Sequence, residues 1–478
     1  MGSTVTLTGW GRIAPSSAEL AEPSSVADAE ALLKTATPSR PLIPRGLGRS
    51  YNNAAQCGGG VVVSSAHLNR IIELNPVTGV ADCAAGVSLE QLMVAGLPAG
   101  WFVPVSPGTR QVTIGGAIAA DVHGKNHHVA GSFARHVRSF DLVLPGGELR
   151  TVTSESDPAL FWATAGGMGL TGFIVRAAVQ LKRVASSRIR VETVRTADID
   201  ETMAVLAEHD RRYGYTVAWS DSMARGKGLG RSVVTSGDFA ELADLPAAAK
   251  DDPFAFRPGA RLGVPGPFPP GLINRYTVAL ANEAWYRKAP KHRDGELQTI
   301  GAFFHPLDGI RNWNRVYGPG GFRQYQYVLP FGEEAAVRRS FELVSAARAP
   351  SFVTVLKRFG AADPGLLSFP MAGWTLALDF PARTPGLSVL LDALDRLVAD
   401  GGGRVYLAKD SHVPPDVLAQ MYPRLPEFRA LRAELDPGGM LASDLSRRLG
   451  LLAGRQPDRR PPGPIFPRLT SGLPWPAC

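Results

Sequence analysis

The chain has 478 residues, 45% of them hydrophobic and 20% charged, with 51 Lys and Arg against 43 Asp and Glu for a net charge of +8. That length exceeds what one core usually reaches, so two domains sharing a ligand cleft are expected, and no stretch approaches the roughly 18 apolar residues of a membrane-spanning helix. The basic excess favours anionic partners such as acidic lipid or a phosphorylated substrate. No basic stretch is interleaved with stacking aromatics and no zinc-finger spacing occurs, so no nucleic-acid partner is expected. Cys57, Cys83 and Cys478 lack paired metal-site spacing and are too few for a disulfide framework, so they read as reduced thiols. The opening MGSTVTLTGWGRIAP shows neither the basic nor the apolar region of a secretory signal.

In chain order, residues 25–36 (SVADAEALLKTA) predict a short helix with a serine start signal, and LIPRGLGRSYNNAA predicts a strand entering a glycine-rich turn. From Gly60 to Ala85 short β-like segments alternate with turns, VSLEQLMVAGL follows as a helix, and VRSFDLVLPGGELRTVT reads as a hairpin turning at Pro145-Gly146-Gly147. Residues 185–260 predict long helical stretches (DIDETMAVLAEHDRRYG), and the Pro- and Gly-rich RPGARLGVPGPFPPGLINRY predicts irregular surface loops. From Phe322, strand-like FRQYQYVLP, SFVTVLKRFG and GWTLALDFP alternate with helical EEAAVRRSFELVSAARA and LSVLLDALDRLVADGG, the pattern of an antiparallel sheet backed by helices. The Pro- and Arg-rich tail after Leu451 has no periodicity and is expected to be disordered.

Gly167-Met168-Gly169-Leu170-Thr171-Gly172 matches G-x-G-x-x-G literally, but Phe173 to Val179 reads as a strand, whereas a nicotinamide site of that type needs a helix there. Pro44-Arg45-Gly46-Leu47-Gly48-Arg49-Ser50-Tyr51 packs two glycines and a serine after a strand, so backbone N–H groups could approach a pyrophosphate; a plain tight turn is the alternative. Three further clusters follow: Pro107-Gly108-Thr109, Thr113-Ile114-Gly115-Gly116-Ala117-Ile118-Ala119 and His123-Gly124-Lys125-Asn126-His127-His128. Together with LFWATAGGMGLTG they resemble the PCMH-type FAD-binding domain of the vanillyl-alcohol-oxidase family. Within it RGLGRSY, PGTRQVTIGGAIAADVHGKNHH, QYQYVLP, YLAKDS and SDLSRRL resemble the decaprenylphosphoryl-β-D-ribose 2′-oxidases, over about residues 5–451.

The resemblance implies an α+β fold: a two-part FAD-binding domain over residues 1–184, an antiparallel-sheet cap over 185–404, a C-terminal strand returning to the flavin within 405–451, and the tail at 452–478. It implies FAD held by Arg45, Gly46, Leu47, Gly48, Arg49, Ser50, Tyr51, Asn52, Asn53, Gly108, Thr109, Thr113, Ile114, Gly115, Gly116, Ala120, Asp121, Val122, His123, Gly169 and Tyr406. Many oxidases of the family carry a histidine after the RGxG turn that bonds covalently to flavin; Arg49 stands there, so FAD is expected to be noncovalent. Asn52 and Asn53 stand where the family usually has Gly-Asp.

Oxidising a secondary alcohol with a flavin needs hydride delivered to flavin N5 while a nearby base accepts the hydroxyl proton. A lysine desolvated in a cleft can lose its proton near neutrality, and the resemblance places the family's essential lysine on Lys409; an isolated strand-end lysine would otherwise read as a snorkelling surface side chain. His123 and Lys125 join it as catalytic candidates, an imidazole to bond substrate or flavin and an ammonium to neutralise a substrate phosphate. His127 and His128, adjacent on a turn without a partnering carboxylate, make a poor zinc site, and no metal is expected. Tyr51, Lys125, Phe304, Gln326, Lys357, Thr375 and Ala377 are expected to line the substrate and inhibitor pocket. Phe304, Thr375 and Ala377 depart from the Tyr, Asn and Cys of better-known members, and in those members nitroaromatic inhibitors reduced by the flavin are trapped on the cysteine.

The implied activity is oxidation of the ribose C2′ hydroxyl of a polyprenylphosphoryl ribose, the first half of epimerisation to the arabinose lipid used in cell-wall arabinan. A separate short-chain-type, NADH-dependent keto-reductase would complete it. The protein would lie peripherally on the plasma membrane, on its cytoplasmic or periplasmic side, the family suggesting the periplasmic one. The alternatives are an oxygen-using alditol or aldonolactone oxidase, which would release hydrogen peroxide, and a flavin-binding protein without turnover.

Overall fold

The computed structural model describes residues 3–452 other than 261 and 267; residues 453–478, and with them the expected disordered tail and Cys478, lie outside it. β1 (Thr4–Leu7), β2 (Ser16–Ala21), β3 (Leu42–Arg45) and β4 (Val61–Ser64) form a sheet in the order β1-β2-β4-β3, in which β4 runs parallel to both β2 and β3. The crossover between β2 and β3 is the helix Val26–Lys34, which starts where Ser25 accepts from the Asp28 N–H and the Asp28 carboxylate returns the bond. β5 (Ile71–Leu74) and β6 (Val80–Ala84) open a second sheet, and β7 (Trp101–Phe102) leaves the run to pair elsewhere. β8 (Val137–Val143), β9 (Leu149–Val152) and β10 (Phe173–Gln180) complete the antiparallel order β5-β6-β10-β8-β9, and β11 (Lys182–Arg183) is the partner of β7. β10 directly follows the literal G-x-G-x-x-G, so that motif feeds a strand and offers no helix N-terminus.

The third sheet takes eight strands. They are β12 (Arg188–Thr196), β13 (Tyr215–Ser220), β14 (Ser232–Phe239), β16 (His292–Thr299), β18 (Phe322–Pro330), β19 (Thr354–Phe359), β20 (Gly373–Pro381) and β21 (Arg404–Val405). Their order is β16-β12-β14-β13-β19-β20-β18-β21, every pair antiparallel. β15 (Leu262–Gly263) and β17 (Ile310–Arg311) make a short parallel pair apart from it. The helices Glu334–Ala346 and Leu387–Asp400 back this sheet with apolar faces that include Val337, Phe341, Leu391, Leu394 and Val398, all buried.

Residues 185–260 depart from expectation. The chief helix there is Ile199–His209, and it is flanked by the three strands β12, β13 and β14. Arg188-Ile189-Arg190-Val191 alternates polar and apolar residues with the period of a half-buried strand, and pairing with β14 and β16 on either side settles it as sheet. The C-terminal return also differs: β21 is an edge strand of the third sheet, and it is the turn after it, Tyr406 to Asp410, that reaches the first sheets. There Tyr51 N–H donates to the Ala408 carbonyl at 2.9 Å, and the Tyr406 hydroxyl to the Ala120 carbonyl at 2.7 Å.

Candidate active site

One cavity of about 1750 Å³ lies between the third sheet and the loops of the first two. The sheet supplies its wall by alternation: Val217 and Trp219 of β13, Val355 and Lys357 of β19, Ala377 and Asp379 of β20, and Gln324 and Gln326 of β18 all line it. Register aligns Trp219, Val355, Ala377 and Gln326 in one row across four strands and sets Gln324 opposite Asp379 in the next.

The opposite wall includes the glycines Gly46, Gly48, Gly108, Gly115 and Gly116. Gly48 has a left-handed φ of +65°, and a Cβ there would fall 2.3 Å from the Arg45 guanidinium. A Cβ at Gly46 would fall 2.3 Å from Thr113 Oγ1, a hydroxyl already committed to capping the helix Ile114–Ala119. At Gly108 a Cβ would meet no protein atom within 4 Å, so this backbone is open to the cavity. Arg49 lines the same wall with its guanidinium 3.9 Å from the Trp10 ring centre, and its buried Nε has no hydrogen-bond partner. Unobstructed backbone beside an unsatisfied cationic donor fits the pyrophosphate of a dinucleotide.

Where the walls meet, the titratable groups gather. His123 is enclosed by Phe359, Phe369 and Tyr406, with Lys357 Nζ 3.4 Å from Nδ1 and the Gln326 amide nitrogen 3.1 Å from Nε2. Burial, then the Lys357 charge, holds its imidazole well below the usual range, so it is neutral. Lys125 donates to the Phe303 carbonyl and sits 4.2 Å from that ring's centre; burial, then Lys357, pushes its ammonium down to about 7. Burial brings Lys357 to about 8.

Lys409 Nζ lies 3.6 Å from the centre of the Tyr51 ring. Burial pushes Lys409 down towards neutrality while the Asp379 carboxylate opposes that shift. Asp379, pushed up by its own burial, accepts from Gln324 through Oδ1, and its Oδ2 is buried without a partner. A buried ammonium and a buried carboxyl with a free oxygen, both drawn towards neutral pH, can take up and hold a proton inside the cavity.

Of the expected FAD-binding residues, Arg45 to Tyr51, Gly108, Thr109, Thr113, Gly115, Gly116, Ala120, Val122, His123, Gly169 and Tyr406 line the cavity. Asn52, Asn53, Ile114 and Asp121 do not. The Asn52 amide turns away to the Leu407 carbonyl at 2.6 Å, and the Asn53 carbonyl accepts the Gln56 N–H at 3.3 Å. Ile114 is core, and Asp121 is a buried acceptor for Ser132 and Ser368. Tyr51, Lys125, Phe304, Gln326, Lys357 and Ala377 line the cavity, but Thr375 is buried behind it and faces Gln326 at 3.1 Å. Asp379 and Gln324 were absent from the expected set. Alternation along GWTLALDFP groups Asp379 with Thr375 and Ala377, yet only the pairing with β18 and the turn carrying Lys409 give the carboxylate a role.

Two family models match the chain: an FAD binding domain over residues 17–153 and D-arabinono-1,4-lactone oxidase over residues 382–449. Decaprenylphosphoryl-beta-D-ribose oxidase of Mycolicibacterium smegmatis is 43% identical over 459 residues, 94% of this chain and 98% of that protein. A Streptomyces coelicolor protein described as an uncharacterized protein in the mprA 5′ region is 43% identical over 375 residues, covering 76% of this chain and 100% of its own. Escherichia coli D-2-hydroxyglutarate dehydrogenase is 37% identical over 132 residues, 27% of this chain and 13% of its own. The glycine-walled cavity, the FAD-domain match and near-complete coverage at that identity lead to one assignment: the chain belongs to the decaprenylphosphoryl-β-D-ribose oxidase family of FAD-dependent oxidoreductases.

Proposed function

We propose that this protein oxidises the C2′ hydroxyl of decaprenylphosphoryl-β-D-ribose to the 2′-keto sugar, with FAD bound noncovalently along Arg45 to Tyr51, Gly108, Thr113 to Gly116 and Gly169. The observation that carries this reading is the gathering of Lys409, Lys357, Lys125 and neutral His123 in the cavity where the sheet meets the glycine-rich loops. At about 1750 Å³ the cavity exceeds the roughly 300–1000 Å³ of a site for one small ligand, which leaves room for a sugar beside the cofactor.

Bound FAD supplies the hydride acceptor. Lys409, held neutral by burial, accepts the C2′ hydroxyl proton, and Asp379 steadies the ammonium that results. Lys125 and Lys357 offset the substrate phosphate, whose arrival restores their full charge. His123 and Gln326 orient the ribose hydroxyls from the neutral side. A separate short-chain-type, NADH-dependent reductase would then reduce the keto sugar to the arabinose epimer, and both steps would occur at a membrane surface, where the lipid substrate resides. Among the described residues no helix is long and apolar enough to cross a bilayer.

The test is anaerobic mixing with a prenylphosphoryl ribose. Bleaching of the flavin absorbance within turnover time is expected, and a spectrum that stays oxidised at saturating substrate would sink the reading. The D-arabinono-1,4-lactone oxidase match over residues 382–449 favours one other reading, an oxygen-using oxidase of a free aldonolactone or alditol. Stoichiometric hydrogen peroxide with those sugars, and none with the prenyl lipid, would establish it instead.

A further inference from the structure

The helix Arg275–Lys288 buries only Val278 and Asn282 and turns an uncovered face outward. Tyr276 and Leu280, one turn apart on that face, are 70% and 73% exposed, and Leu262 of β15 is 70% exposed. Isolated exposed apolar side chains need no explanation, but a cluster at the rim of a functional cavity does. Leu262, Ala281, Trp285 and Ile310 line the cavity itself.

Charge points the same way. Over residues 253–293 the sole acid is Glu283, against the cations Arg257, Arg261, Arg275, Arg287, Lys288, Lys291 and Arg293. Glu283 is paired with Arg231 and Arg287, and the next acids along the chain are paired too, Asp294 with Arg190 at 3.9 Å and Glu296 with Arg293 at 3.4 Å. Arg287 and Arg293 are thereby opposed, whereas Arg257, Arg275, Lys288 and Lys291 have no carboxylate partner among the described residues, so the face presents apolar side chains beside an excess of cations. From it an apolar path leads inward: Trp285 meets Trp219 edge-on at 6.3 Å, and Trp219 begins the row that continues through Val355 to Ala377.

We propose that the face formed by the helix Arg275–Lys288 and β15 at Leu262 docks on the anionic surface of a lipid bilayer, and that the Trp285–Trp219 path admits the substrate's prenyl chain from that bilayer. Cationic side chains set among inserted apolar ones bind such surfaces, and an aromatic side chain with a polar end favours the headgroup level. The inference rests on the prenyl-linked substrate proposed above, because a free sugar would need no opening towards lipid.

The experiment is sedimentation of the full-length, FAD-loaded protein with vesicles of equal phosphatidylcholine and phosphatidylglycerol, and with phosphatidylcholine alone. The protein should pellet with the first and stay in solution with the second. Tyr276→Glu with Leu280→Glu should abolish pelleting, and Lys288→Gln or Lys291→Gln should each weaken it about fivefold, the equivalent of one phosphate-attracting charge near the surface. All these variants should reduce flavin normally with a short, water-soluble prenylphosphoryl ribose and slowly with the long-chain lipid embedded in vesicles. A wild type that ignores anionic vesicles, or Glu variants that pellet like wild type, would overturn the docking face. So would a wild-type dimer in solution that the Glu variants split, since the face would then belong to a second copy. Pelleting without flavin reduction by the short substrate would instead overturn the substrate reading and leave the docking face standing.

Discussion

Lys409 and Tyr51 come together from opposite ends of the chain, the ammonium 3.6 Å from the ring centre, and the Tyr51 N–H to Ala408 carbonyl bond at 2.9 Å fixes the two turns to each other. The ring's negative face stabilises a cation at little cost in geometry. A lysine so placed can be emptied by burial and refilled by a substrate proton without moving. Lys409→Ala should therefore retain bound FAD and the folded state while flavin reduction slows by about 10²–10⁴-fold, the usual cost of losing a general base. Stopped-flow absorbance under anaerobic conditions reads it directly, and near-normal reduction would shift the role to Lys125 or His123.

Asp379→Asn tests the pairing of carboxylate and ammonium. The carboxylate favours the charged form of Lys409, so its removal leaves burial and the Lys357 charge unopposed and lowers the Lys409 value further. Since the base must be neutral, the limb along which flavin reduction rises with pH should move to lower pH. A pH profile that only falls in height, with its limb unmoved, would mean that Asp379 serves packing alone.

Stability should also report the buried lysines. Lys125 and Lys357 sit at about 7 and about 8 in the fold, against about 10.4 in the unfolded chain. Between those values the unfolded chain binds more protons than the folded one, so stability rises with pH across that window and its penalty is greatest below about pH 7. Urea midpoints of the substrate-free protein should accordingly climb between about pH 7 and 10. Lys357→Met should flatten part of the rise; an unchanged slope would place that ammonium in water.

The glycine wall was legible in the sequence because Gly46, Gly48, Gly108, Gly115 and Gly116 carry their meaning in the absence of a side chain, which no neighbour has to supply. The substrate wall was less so. Gln324 and Asp379 read as the polar residues of an ordinary alternating strand until β18 and β20 pair and set them opposite one another. Thr375 shows the converse: it shares the strand face of Ala377, but the Gln326 side chain lies over it. The strands of 185–260 were obscured by the genuine helix Ile199–His209 at their centre, whose period was extended too far on both sides.

Arg49 gives a prediction about cofactor attachment. Its guanidinium rests on Trp10, and a guanidinium offers flavin no nucleophile at neutral pH. Acid precipitation should release all the yellow colour into the supernatant. Flavin fluorescence remaining with the denatured band on a gel would show a covalent link that Arg49 cannot make.

Ala377 separates catalysis from covalent inhibition. It sits mid-strand in β20, partly open to the cavity and flanked in register by Gln326 and Val355, where better-known members of the family carry a cysteine whose sulfur traps nitroaromatic inhibitors once the flavin has reduced them. A methyl group offers no nucleophile, and hydride transfer with proton abstraction by Lys409 needs none at that position. The protein should therefore turn over normally yet show no mass increase after incubation with a nitrobenzothiazinone during turnover, while Ala377→Cys gains one adduct. Cys57 and Cys83 are both buried, and burial raises the thiol of each, so neither competes for the inhibitor. An adduct on the unmodified chain would place the inhibitor outside this cavity, and an Ala377→Cys protein that turns over but stays unlabelled would mean that position 377 faces away from the flavin.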